Sequence, residues 1–273
     1  MKGKISLAGD LGSGKSTVSK ILIERLDATY YSTGAIVRAI AEGRGMTVVE
    51  LNQYMETHPE IDHEIDDGLV ALSDDPRTLV IDSRMAWHFT KNTFKVYMST
   101  DIETSALRIL RACRKGEHAA SLEETVAETR ARRASEKKRY FEQYGVDIKD
   151  LRNYDFVIDT TYATPDEVAE AILSAFALWQ EDKLTPVAYL CPERLYYPED
   201  DAAAERAAEL SCELDAGNAI PPIAVTEREG EFYITDGTAS AMAYAFNMST
   251  FIPATLTDAP PLACDYVKMK NSL

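Results

Sequence analysis

The stretch Gly9-Asp10-Leu11-Gly12-Ser13-Gly14-Lys15-Ser16 constrains this chain more than any other. It fits G-x-x-x-x-G-K-[ST], and its setting gives the pattern meaning. Residues 4–9 (KISLAG) read as a short buried strand that runs straight into the glycines. Residues 15–26 then carry apolar side chains at helical spacing: Val18, Ile21, Leu22 and Leu26. Strand, glycine loop and helix are the context in which backbone N–H groups converge on a phosphate and the helix dipole adds positive potential. Gly9, Gly12, Ser13, Gly14, Lys15, Ser16 and Thr17 are therefore expected to bind a nucleoside triphosphate. Lys15 would reach the β- and γ-phosphates, and Ser16 would offer its hydroxyl to Mg²⁺. A dinucleotide site is excluded, because Gly12-x-Gly14 would need a third glycine where Thr17 stands.

Further short apolar runs follow at Leu79–Asp82, Phe94–Met98 and Phe156–Asp159, separated by charged helical stretches. Strands alternating with helices predict an α/β protein with a parallel sheet flanked by helices. Thr164-Pro165-Asp166-Glu167 opens a helix that extends through Trp179.

Phosphoryl chemistry on such a sheet needs further cations. Ser32-Thr33-Gly34 leads into a helix carrying Arg38, a suitable second anion site. Asp82 ends a strand and is expected to hold water on Mg²⁺, and Arg84 leaves the same edge, where ligands of open α/β sheets bind. Residues 108–139 are rich in cations: Arg108, Arg111, Arg114, Arg130, Arg132, Arg133, Lys137, Lys138 and Arg139. Two readings fit them. One is a solvated helix with pairs to Glu128 and Glu136; the other, favoured by the phosphate loop, is a lid that closes arginines over the transferring group.

Composition removes whole classes of function. The chain has 273 residues, 45% hydrophobic and 27% charged, which is ample for a core. The formal net charge of −16 disfavours nucleic acid and anionic lipid as partners. Four cysteines without C-x-x-C spacing read as reduced thiols of a cytoplasmic protein. The opening MKGKISLAGD has no signal-peptide core, and no run is long and apolar enough to span a bilayer.

The N-terminal 180 residues resemble the cytidylate kinases, especially those of archaeal type. GDLGSGKST (9–17), STGAIVRAIAEGRGM (32–46), HPEIDHEID (58–66), VIDSRMA (80–86) and RRASEKKRYFEQYGVDIKDLRNYDFVIDTT (132–161) carry the likeness. It implies a P-loop fold, ATP as phosphate donor with Mg²⁺, and transfer to CMP or dCMP, giving the diphosphate. Lys15 and Ser16 would serve ATP and Mg²⁺. Arg38 and Arg84 would grip the acceptor phosphate, and Arg132 and Arg139 would be lid arginines. Ser83 replaces a glycine usual in the family, and His63 stands where a basic residue is common. Asp62 and Asp66 share one helix face at i,i+4; they either read the cytosine amino group or are plain helix-surface acids. A kinase for another nucleotide or a small metabolite, and a nucleotide-dependent sensor, are the alternatives.

Gln180–Pro186 is polar and ends in proline, which suits a domain boundary. Residues 1–182 are expected to form the kinase-like domain, and residues 183–273 a second, smaller α+β domain. Each part carries a formal charge of −8, so the shorter second part is the more acidic per residue. Its Ile220–Val225 and Gly230–Gly237 read as strand, turn, strand, turn, followed by a helix at Ala239–Phe246 and then Ile252-Pro253-Ala254. This order resembles the ParB/sulfiredoxin-like fold. Where that family places His and Arg after Asp-Gly, this chain has Thr238-Ala239-Ser240 after Asp236-Gly237. The second part is therefore expected to be non-catalytic, offering a protein partner or a second copy an acidic surface. Residues 1–182 are expected to fold and act without it.

Overall fold

The computed structural model describes residues 3–55, 57–112, 121–185 and 187–269. The first part runs β1 (Lys4–Gly9), α1 (Lys15–Leu26), β2 (Thr29–Ser32), α2 (Thr33–Gly43), α3 (Val48–Met55), α4 (Glu60–Ala71), β3 (Leu79–Asp82), α5 (Ala86–Phe89), β4 (Thr93–Ser99), α6 (Ile102–Arg111), α7 (Leu122–Tyr144), β5 (Phe156–Asp159) and α8 (Pro165–Gln180). The remainder runs β6 (Val187–Leu190), β7 (Leu195–Pro198), α9 (Asp201–Asp215), β8 (Ile223–Arg228), β9 (Glu231–Asp236), α10 (Thr238–Phe246), β10 (Ile252–Leu256) and β11 (Tyr266–Lys268). The protein is α/β, with a sheet that is parallel from β2 to β6 and flanked by helices.

Local chemistry sets the helix starts. Ser32, Asp101 and Ser121 each accept a backbone N–H of the first turn of α2, α6 and α7 with their side chains. Thr164 and Glu167 form a reciprocal capping box on α8, with Pro165 at the first helical position. The helix α7 stops at Gly145, whose φ of 68° lies in the left-handed region.

The strand order is β11-β7-β9-β8-β10-β6-β5-β4-β1-β3-β2. On one face, Leu22 of α1 and Ile172 and Phe176 of α8 cover Ile5, Phe94 and Phe156. On the other, Leu69 and Met85 pack on Leu79 and Ile81. The strand β2, unread in the sequence, pairs with β3 at the edge.

The region around Gln180–Pro186 is not a gap in the sheet. β5 pairs with β6 in parallel, Phe156 opposite Val187. One hydrophobic cluster also joins Tyr97, Leu151 and Tyr154 to Leu190, Ala207 and Met242. From β6 onward, antiparallel and parallel pairings alternate.

Candidate functional site

The loop between β1 and α1 is built around glycines that no other residue replaces freely. Gly9 has φ of 144°, and a Cβ there would lie 2.3 Å from the Met98 carbonyl oxygen. Gly14 caps α1 at φ of 85° with open space around it. Lys15 curls back over the loop, donating to the carbonyls of Gly9 (3.0 Å) and Asp10 (2.8 Å) and to Ser13 Oγ (3.4 Å). Burial, with Arg84 beside it, brings the Lys15 ammonium down to about 8, against the pull of Asp82, Asp10 and Glu136.

β1 and β3 are adjacent and parallel, so Lys15, Asp82 and Arg84 meet at one edge of the sheet. Tyr30 Oη donates to Asp82 Oδ2 at 3.0 Å. The Arg84 backbone is held by the Trp87 indole N–H, which donates to its carbonyl at 2.8 Å. Its guanidinium pairs with Glu136 of α7 through Nε. Burial opposes the charge of Arg84, yet Glu136 holds its pKa above the ordinary arginine value. Arg132 reaches the same Glu136 at 3.2 Å. Arg139, one turn further, lies against the Tyr140 ring with its Nε 4.0 Å from Asp62. Arg38 stands apart, exposed on α2 near Tyr30, its guanidinium 3.5 Å from where a Gly34 Cβ would be. Ser83 is buried, and its hydroxyl accepts the Met85 N–H at 3.2 Å.

The basic stretch 108–139 divides between two helices. Arg130, Arg132, Arg133, Lys137, Lys138 and Arg139 lie on α7, whereas Arg108 and Arg111 belong to α6. Arg114 lies outside the described residues. Arg108 crosses to the end of β5, donating to the carbonyls of Thr160 (2.6 Å) and Thr161 (3.1 Å). A cleft of about 320 Å³ follows the loop and the start of α1, bounded by Gly12, Ser13, Thr17, Arg108, Thr160 and Pro165.

Sequence reasoning passed over Asp10, Tyr97 and Lys149. Asp10 is almost fully buried, 6% exposed, inside the loop motif itself. Its carboxylate accepts from Tyr97 Oη (2.9 Å), the Thr100 N–H (3.0 Å) and Lys149. Burial works against its ionisation, but Lys149 and Arg133 hold it well below the usual carboxylate range. The acid at that loop position was the available signal: a buried carboxylate requires cations nearby. Asp62 and Asp66 are buried rather than surface acids. Burial and the neighbouring Asp62 push Asp66 up to about 6, against the hydrogen bond that Tyr144 donates to it.

The donor set for a metal is modest. Ser16 would offer a hydroxyl and Asp82 a carboxylate, and no group of three His, Cys, Asp or Glu residues forms a metal cage among the described residues. Hard oxygen donors in so small a number suit Mg²⁺, which keeps waters and phosphate oxygens in its shell. No helix among the described residues is long and apolar enough to cross a membrane.

A family model described as AAA domain matches residues 9–140. A cytidylate kinase of Thermoplasma volcanium is 34% identical over 63% of this chain and 90% of that protein. One from Archaeoglobus fulgidus is 36% identical over 63% of this chain and 93% of that protein. An S-adenosylmethionine-dependent nucleotide dehydratase of Lacinutrix mariniflava is 37% identical over 64% of this chain, which spans 36% of that protein's length.

Proposed function

Because the chain belongs to the cytidylate kinase family, we propose that it transfers the γ-phosphoryl group of ATP to CMP or dCMP, giving ADP and the nucleoside diphosphate. The observation that carries this reading is the convergence of Lys15, Asp82 and Arg84 at one sheet edge, under the arginines of α7.

The chemistry asks for little besides charge and position. A monophosphate with a second pKa near 6 is largely dianionic at pH 7, so its attacking oxygen is already ionised and no general base is needed. The obstacle is repulsion between two polyanions. In this reading Gly9, Gly12, Ser13, Gly14 and Thr17 cradle the donor phosphates, and Lys15 leaves its carbonyl partners to meet the β- and γ-oxygens. Arg84 and Arg38 hold the acceptor phosphate. Arg132 and Arg139 close from α7, and Glu136 couples that helix to Arg84. When bound, Mg²⁺ held by Ser16 and, through water, by Asp82 would add charge neutralisation on the phosphate oxygens. In the same reading Asp62 and Asp66, buried beside α7, would accept from the amino group of a cytosine.

Residues 183–273 are proposed to be a non-catalytic unit of ParB/sulfiredoxin-like kind. Thr238, Ala239 and Ser240 at the start of α10 supply no cation for a phosphate there.

Steady-state ADP release with a panel of nucleoside monophosphates tests the proposal. Strong stimulation by CMP or dCMP is the expected result. Preference for another acceptor would move the assignment to a different kinase, and ATP binding without turnover would make the protein a sensor.

A further inference from the structure

The wall of the cleft beside the phosphate loop is not held by residues 1–182 alone. Arg194 sits in a single 3-10 turn, Pro192–Arg194, between β6 and β7. It is 2% exposed, and the Asp159 that it faces is fully buried at the end of β5. Its Nη1 lies 3.3 Å from Asp159 Oδ1 and 3.0 Å from Thr161 Oγ1, and Nη2 donates to the Gly230 carbonyl in the β8–β9 turn. Thr161 closes the triangle, donating to Asp159 Oδ1 through both its hydroxyl (2.6 Å) and its backbone N–H (3.0 Å).

What this cluster fixes is the segment at 160–161, and that segment touches the loop directly. Thr160 Oγ1 donates to the Ser13 carbonyl at 2.9 Å. The Thr160 and Thr161 carbonyls hold Arg108, whose other nitrogen lies 3.4 Å from the Gly12 carbonyl. Gly12, Ser13, Arg108 and Thr160 all border the cleft. A single guanidinium from the second part of the chain thus stands two hydrogen bonds from the phosphate loop.

We infer that Arg194 is a positioning residue for the nucleotide cleft: by fixing Asp159 and Thr161 it sets the wall that Thr160 and Arg108 form against Gly12 and Ser13. The fork of a guanidinium suits the task, because it spans a carboxylate, a hydroxyl and a carbonyl in one plane, which an ammonium does not. Removing it would leave a buried carboxylate without its cation, and the cheapest response is movement of the 159–161 segment. That the cleft takes ATP rests on the kinase reading; the bracing itself does not.

The test uses the full chain with Arg194→Ala, Arg194→Lys and Thr161→Val, read in two ways. Hydrogen exchange without nucleotide is followed in peptides covering 9–17 and 159–168. Steady-state kinetics give KM for ATP and for the monophosphate separately. Arg194→Ala is expected to speed exchange in both peptides while β1, β3 and β4 stay protected. It should raise KM for ATP about tenfold, with the monophosphate KM changed by about twofold at most. Arg194→Lys should recover part of the loss. Should Arg194→Ala fail to fold, Thr161→Val keeps the charge pair, and its exchange and KM for ATP decide the matter alone. Native melting with unchanged loop exchange and unchanged KM for ATP overturns the inference, as does an equal rise in both KM values. Absence of ADP release from the parent with every monophosphate would count against the kinase reading; the exchange data would then judge the bracing by themselves.

Discussion

Lys15 is held in two minds by its surroundings. Burial and Arg84 disfavour its charge and bring its pKa down to about 8. Its unfolded counterpart titrates near 10.4. Between those values the unfolded chain carries the extra proton, so this group makes the protein more stable as pH rises from about 8 to about 10. A bound polyanion reverses the preference. Nucleotide binding at pH 8.5 should therefore take up a proton, seen by calorimetry in buffers of different ionisation enthalpy, and the uptake should vanish in Lys15→Ala. That variant should remain folded and lose phosphoryl transfer. Arg84→Ala should lower kcat/KM for the monophosphate by about 10²–10³ while ATP affinity holds, and an equal loss of ATP affinity would place Arg84 on the donor side. Asp66 has the opposite sign from an ordinary paired acid. Its pKa is up at about 6, so its protonated form belongs to the fold and stability falls as pH rises from about 4 to about 6. Asp66→Asn should raise stability at pH 7 by about 1 kcal/mol and flatten that slope in a series of melts.

Elements were legible where one short stretch carries its own pattern. Lys4–Gly9, Leu79–Asp82 and Phe156–Asp159 are strands whose apolar runs declare them, and α1 begins where its glycine loop ends. The strand β2 escaped because Thr29–Ser32 is short, polar and half exposed at an edge. The cations of 108–139 looked like one group because they are near in sequence, yet α6 and α7 turn Arg108 and Arg132 toward different partners. Lys149 was silent, since only the fold brings it to Asp10, 139 residues away. The loop glycines make the element-scale prediction. Gly14→Ala faces open space and meets the backbone cost alone, about 1–2 kcal/mol. Gly9→Ala adds a collision with the Met98 backbone, a further 1–3 kcal/mol or so, and chemical denaturation should rank the two in that order.

At the scale of the molecule, the independence expected of residues 1–182 meets a sheet that does not stop there. Cutting after Asp182 would bare the β5 edge, uncover the cluster at Tyr97 and Tyr154, and leave Asp159 without Arg194. The shortened chain should melt lower than the parent and show concentration-dependent light scattering; a monomer with the parental melt would establish that the first part stands alone. The place of β10 has a consequence for how the protein is made. It lies between β6 and β8, yet it is synthesised after both. While a ribosome is still translating residues 191–251, β6 can dock on β5 but has nothing to hold on its far side. Ile252–Leu256 is the keystone strand: its arrival completes the strand pairing from β6 to β8. A nascent chain released just before it would hold β7 to β9 to the rest by the Arg194 contacts and side-chain packing, with no strand pairing between β6 and β8, and quality-control proteases should find it readily.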